Sequence, residues 1–243
     1  EITVYLRTRS NTLDMVEVVA KGNPARAALF QPLSNPRLGA TELKRTTGLL
    51  LDDAININIP GVLMERRTFS AGQQFNIRGY GNGARGTNGI NSNFDGQGYK
   101  VYLNGIPVTD AEGITLMDDI DFGSVGQVDI IKGPSGTLYG QAIAGVVNLQ
   151  TVKPQPGRTS LGQEVIAGSY GLRRYTTTCQ TSRENASLIA NYGKQSYDGF
   201  MPHTHSNKHF ANLMGAFSLN KKQDLNVYFG YSNSYDARNG EIT

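Results

Sequence analysis

A chain of 243 residues can form one or two domains, and its net charge of only +3, from 23 Lys and Arg against 20 Asp and Glu, gives no footprint for nucleic acid. The single cysteine, Cys179, excludes an intrachain disulfide. No run approaches the roughly 18 apolar residues of a membrane helix, although a closed β-barrel stays open because it too pairs every backbone group in lipid. The 29 glycines suit many strands separated by turns. Glu1-Ile-Thr-Val-Tyr-Leu-Arg7 lacks the basic start and long apolar run of a signal peptide. With Thr243 falling in mid-pattern, the sequence reads as a processed or truncated piece.

Ile2, Val4 and Leu6 alternate with Thr3, Tyr5 and Arg7, which predicts one half-buried strand. That strand is either the last of a preceding domain or an added edge. Asp14-Met-Val-Glu-Val-Val-Ala20 is an extended apolar segment with an acidic leader. Pro24, Pro32 and Pro36 make residues 21–41 a linker or irregular surface. Thr41–Ala54 contains a short helix with Thr47 as N-cap and Leu49, Leu50 and Ala54 on one face. Gly61–Arg67 and Gln74–Tyr80 read as core strands, followed by a long polar loop at 81–98 of the kind that is functional or disordered. Lys100–Val108 is a strand with a tight turn at Asn104-Gly105. Asp118, Asp119 and Asp121 could serve acid–base work or a metal, but a solvated or helix-capping acidic turn is the preferred reading. Val128–Ile131 and Ala144–Leu149 are short β-branched runs, hence buried strands, around a centre controlled by Gly133, Pro134, Gly136, Gly140 and Gly145.

Beyond a break at Pro154–Arg158 the pattern becomes alternating. Strands are expected at Leu161–Ser169, Arg174–Thr181, Ala186–Tyr197, Lys208–Leu219 and Leu225–Tyr235, with one oily face and one small, polar face. Their lengths suit the roughly 9–11 residues that cross a bilayer. Arg183-Glu-Asn and Asn220-Lys-Lys-Gln-Asp are short connections, whereas Asp198–Asn207 is longer, the asymmetry of inner turns and outer loops. A soluble antiparallel sheet shares the same alternation. Cys179 reads as a small packing residue within its strand. His203-Thr-His-Ser-Asn-Lys-His209 is the one cluster of metal-ligand types, preferred as a ligand-contacting or solvated outer loop, so no resident metal is assigned.

Three segments in order resemble TonB-dependent outer-membrane receptors. They are Phe75-Asn-Ile-Arg-Gly-Tyr-Gly, Val101-Tyr-Leu-Asn-Gly-Ile-Pro-Val, and Val128-Asp-Ile-Ile-Lys-Gly-Pro-Ser-Gly-Thr-Leu-Tyr-Gly followed by Ala144-Gly-Val-Val-Asn-Leu. The resemblance implies an α+β plug domain, a small mixed β-sheet with short helices, followed by the first five or so antiparallel strands of a transmembrane β-barrel of about 22. The expected division is 1–13, the possible end of a periplasmic domain; 14–20, a TonB-box-like segment; 21–154, the plug; and 155–243, the incomplete barrel.

By resemblance, Asp14, Met15, Val16, Glu17, Val18, Val19 and Ala20 would bind TonB, adding a strand to a partner's sheet edge through backbone hydrogen bonds. Arg78 would latch the plug to acids on the barrel wall, a task that suits a planar guanidinium. Asn82, Arg85, Asn88, Thr109, Asp110 and Glu112 would lie on apical plug loops facing the ligand, joined by His203 and His205 of the outer loop. The implied function is import of a ferric siderophore or similar chelate across the bacterial outer membrane, energised by TonB with ExbB and ExbD. Partners would include outer-membrane lipid and a surface lipoprotein. The alternatives are a glycan or vitamin importer of the same superfamily, and a non-transporting β-rich binding or adhesion module. No nucleophile–base pair, phosphate loop or ligand-spaced Cys set appears, so no enzyme, catalytic residue or cofactor is assigned.

Overall fold

A computed structural model describes residues 35–45, 50–66, 68–81, 98–140, 142–220 and 223–237, all within one compact unit, Leu33–Thr243. In chain order the elements are β1 (Arg37–Leu38), α1 (Ala40–Lys44), α2 (Leu51–Asn58), β2 (Val62–Glu65), β3 (Gln74–Ile77), β4 (Tyr80–Gly81), β5 (Tyr99–Leu103), β6 (Ile106–Pro107), β7 (Val125–Lys132), α3 (Gly136–Tyr139) and β8 (Gly145–Thr151). Five long strands follow: β9 (Thr159–Ala167), β10 (Arg173–Arg183), β11 (Ala186–Tyr197), β12 (Ser206–Asn220) and β13 (Gln223–Asp236).

The first part is built on a mixed sheet of order β1-β7-β8-β5-β6, in which only β5 and β8 run parallel. β7 and β8 bury residues on both faces, as their unbroken Val/Ile/Leu runs require. Gly145 permits their pairing: a Cβ there would lie 2.3 Å from the Ile131 carbonyl oxygen. The turn between β5 and β6 has Asn104 at φ 50° and Gly105 at φ 82°, the two left-handed residues of a tight hairpin. Asn104 also ties this turn to the end of β8, donating to Thr151 Oγ1 (2.9 Å) and accepting from its N–H (3.0 Å).

Helix α2 lays Ala54 and Ile55 on the core and is fixed to β2 by Asn56, which donates to the Met64 carbonyl (2.9 Å) and accepts from its N–H (2.7 Å). The expected cap at Thr47 is corrected: Thr47 falls outside the described residues, and the helix starts at Leu51 behind an extended Leu50 that offers no side-chain cap. Tyr99 and Phe75 meet edge-on at 5.7 Å in the centre of the core, and the Tyr99 hydroxyl accepts the Phe75 N–H (3.1 Å). Every member of that core cluster comes from residues 38–149.

Strands β9 to β13 form a separate antiparallel meander. Its two faces differ as the alternation predicts. Leu161, Val165, Tyr175, Leu188, Tyr192, Leu213, Leu225, Val227, Phe229 and Tyr231 are exposed on one side. Arg174, Thr176, Asn191, Gln195, Lys208 and Asn212 are buried on the other, against the first part. An outward oily face and an inward polar one are the arrangement of a membrane barrel wall, the reverse of a soluble sheet on its core. Cys179 is corrected accordingly: it is exposed on the oily face, level with Leu161 and Ala190.

Candidate functional site: a polar seat between plug and wall

Where the two parts meet, the wall's inward parity places cations at Arg174 and Lys208. Neither is affordable in isolation under burial, and the acids of the 115–121 segment answer them. Asp121 pairs with Arg174, both side chains about 4% exposed. The Arg174 guanidinium also donates to Gln195 Oε1 and Thr176 Oγ1, each at 3.3 Å, and lies 5.1 Å over the Phe210 ring. Lys208 donates to two backbone carbonyls, Asp118 (2.5 Å) and Ser70 (3.2 Å). The Asp118 carboxylate turns inward to accept the Gly72 N–H at 2.9 Å. Asn212 and Tyr228 both donate to the Asp119 carbonyl, at 2.6 and 3.3 Å. Burial pushes the Asp119 carboxyl above the usual carboxylate range.

A second point of grip is Ser70, in the link between β2 and β3. Its hydroxyl accepts from Gln195 Nε2 (3.0 Å) and shares a hydrogen bond with Ser206, and its N–H donates to Asp236 Oδ1 (3.3 Å). Phe69 stacks on Tyr197 at 4.1 Å beside it. Four strands of the wall thus hold two short plug segments. Between them lies a cavity of about 20 Å³ lined by Ser70, Gln73, Asp118, Asp121, Arg174 and Lys208 among others, room for one water. Asp121 Oδ2 is buried without a hydrogen-bond partner among the described residues. Among the described residues no group of three or more His, Cys, Asp or Glu side chains is placed to hold a metal ion.

The acidic turn, expected as solvated or helix-capping, is therefore corrected: Asp121 is buried and ion-paired, and both neighbours' carbonyls bind the wall. Parity held the missed signal. Arg174 and Lys208 fall on the small, polar face of their strands, and Asp118–Asp121 is the densest acidic stretch upstream to meet them.

The other expected site residues divide. Asp14–Ala20, Asn82, Arg85 and Asn88 lie outside the described residues. Arg78 is exposed, at φ 53° in the turn between β3 and β4. Thr109 is buried, and its hydroxyl accepts the Val101 N–H (3.0 Å) and bonds Thr115 Oγ1 (2.7 Å). Asp110 and Glu112 are exposed, with Asp110 Oδ1 ordering the loop by accepting from the N–H groups of Glu112 (3.0 Å) and Ile114 (2.8 Å). Because Thr109 and Val108 bond Val101, this loop lies at the end of the sheet where Tyr99 starts β5. His203 and His205 are exposed in the β11–β12 connection, and the His205 ring lies 5.3 Å from Tyr235.

Comparison with known proteins agrees with this architecture. The model of the TonB-dependent Receptor Plug Domain family matches residues 31–146. The pesticin receptor of Yersinia enterocolitica is 25% identical over 140 residues, 57% of this chain and 19% of that protein. The pyoverdine outer membrane receptor FpvA of Pseudomonas aeruginosa superposes with a TM-score of 0.62 at 20% identity, over 84% of this chain and 28% of its own. The ferric-catecholate import receptor Fiu of E. coli gives 0.60 at 21%, over 84% and 27%. The chain spans about a fifth of the curated relative and little more than a quarter of the solved receptors. Residues 31–146 match the TonB-dependent receptor plug domain, and the five antiparallel strands that follow share the fold of the opening barrel strands in the solved receptors.

Proposed function

We propose that this chain is part of an outer-membrane active transporter that imports a ferric siderophore or similar metal chelate. The observation that carries the reading is a plug with its own core, seated through polar contacts against the inward face of an outwardly oily wall. A folded plug in a barrel lumen blocks passive flow. Movement of the plug requires work, and TonB with ExbB and ExbD would supply it through Asp14–Ala20 by strand addition. Ligand binding on the apical loops would signal to that segment, a coupling between two sites. Asp110 and Glu112, with Asn82, Arg85 and Asn88 of the neighbouring loop and His203 and His205 of the wall, would form the ligand side. Thr109 would serve the loop's fold instead. Arg78 would pair with an acid on another part of the barrel. The division at 14–20, 21–154 and 155–243 follows from these roles.

Support for the iron-chelate ligand comes from two of the named neighbours, a receptor bound to pyoverdine and a ferric-catecholate import receptor. The test is uptake of radiolabelled ferric chelates by cells expressing the whole receptor, with and without TonB. Chelate-dependent and TonB-dependent uptake is expected. Growth rescue by a glycan or vitamin, with no chelate uptake, would overturn the ligand assignment.

A further inference from the structure

We propose that Arg173, Lys194 and His209, on the oily face of the wall, form a docking patch for the phosphate of an outer-leaflet glycolipid headgroup. The inference rests on the outer-membrane reading above. Register places the three side chains together. Lys194 directly opposes His209 on β12 and Tyr175 on β10, and directly paired residues have Cβ atoms ~5 Å apart. Arg173 pairs with Ser196, two residues along the same strand face from Lys194, which sets it on the diagonal at roughly 7–8 Å. Arg173 and Lys194 are exposed, and His209 is partly so.

The position on the wall is specific. These residues occupy the ends of the strands joined by the longer connections, residues 168–172 and 198–205, rather than the end closed by the Glu184-Asn185 turn. Below them the same face carries Tyr192 and Tyr231, then Leu161, Leu213 and Phe229, then Leu188 and Val227. Cations therefore sit where the apolar band gives way to a ring of tyrosines, the depth of lipid headgroups.

Charge argues for a ligand. Neighbouring cations on one sheet face repel, yet no Asp or Glu occupies an outward-facing paired position of β9 to β13. Asp198 lies in the connection above, and among the described residues no ion pair joins it to Arg173 or Lys194. An anion from outside the chain would relieve the repulsion, and Arg with Lys binds phosphate oxygens by charge-assisted hydrogen bonds.

The experiment uses the whole receptor purified from outer membranes in mild detergent, with co-purifying lipid A quantified by mass spectrometry. Added bisphosphorylated lipid A and its dephosphorylated form are the probes. An Arg173→Gln, Lys194→Gln double variant is expected to lose at least tenfold of the bound bisphosphorylated lipid. Arg183→Gln, at the opposite end of the same face, is expected to retain it. Equal retention by the double variant, equal retention of the dephosphorylated lipid, or displacement by inorganic phosphate at millimolar concentration would each overturn the patch. A wild-type receptor that fractionates away from the outer membrane would instead overturn the transporter reading on which it stands.

Discussion

Replacing Asp121 by Ala should loosen the plug from the wall. Arg174 would keep Gln195, Thr176 and the Phe210 face but lose the Asp121 carboxylate while about 4% exposed. Breaking a buried pair from one side costs about 3–5 kcal/mol, and the surviving neutral partners argue for the lower end, about 3 kcal/mol. At 1.4 kcal/mol per tenfold, that is roughly a 150-fold shift in local opening. Amide hydrogen exchange on the whole receptor reads it at Ser124 and Val152, which share a backbone hydrogen bond of 2.9 Å just beyond the pair. Adding Arg174→Met should restore most of the protection, since the stranded charge is then gone. Exchange within threefold of wild type in Asp121→Ala, or a double variant as open as the single one, would refute the assignment of the pair as a clamp.

Exchanging the pair for apolar partners, Asp121→Leu with Arg174→Met, should hold or raise stability by about 1–4 kcal/mol while slowing chelate uptake at unchanged chelate binding, measured in cells. Ser70→Ala removes the acceptor for Gln195 and the partner of Ser206; about 1–2 kcal/mol of local stability should disappear, read as faster exchange across residues 68–73 only. Gly145→Ala drives a methyl to 2.3 Å from Ile131 O, so β7 and β8 must part; a loss of about 3 kcal/mol or more is expected, seen as protease sensitivity of the plug. Burial raises the Tyr99 phenol to about 12. The neutral form is the one the fold favours, so this contribution is intact below about pH 10 and is lost as pH rises towards 12; ultraviolet titration should show Tyr99 ionising after the exposed tyrosines.

The strands of the wall were legible to within two residues at each end, because period-two alternation over nine to fifteen residues leaves little freedom of register. Ala186–Tyr197 came out as read. The plug strands were legible as runs but not as a topology: nothing local in Tyr99–Leu103 says that it runs parallel to β8. Arg78 drew attention by its motif, yet the wall's grip falls on Ser70 and Asp118–Asp121. Those residues act largely through backbone carbonyls, which no side-chain pattern announces. The wall's own cations did announce it. Arg174 and Lys208 on an inward parity were unanswered charges, and an unanswered buried charge demands a partner.

The division of labour in the packing fits the proposed role of a plug that moves. Among the described residues its apolar core is drawn from residues 38–149, and Tyr228 of the wall packs against it. Had the wall contributed strands to that core, moving the plug would expose apolar surface at roughly 25 cal/mol per Å² with nothing in return. Hydrogen bonds to Ser70 O, Asp118 O and Asp119 O behave differently. Each is worth only about 1 kcal/mol net, because water replaces it when the two surfaces separate. On the proposed transport role, the same contacts would be released into an aqueous lumen without unfolding the plug. A seat made largely of hydrogen bonds to carbonyls and hydroxyls, with the Asp121–Arg174 pair and a water-sized cavity, is the kind of contact the proposed plug movement would require.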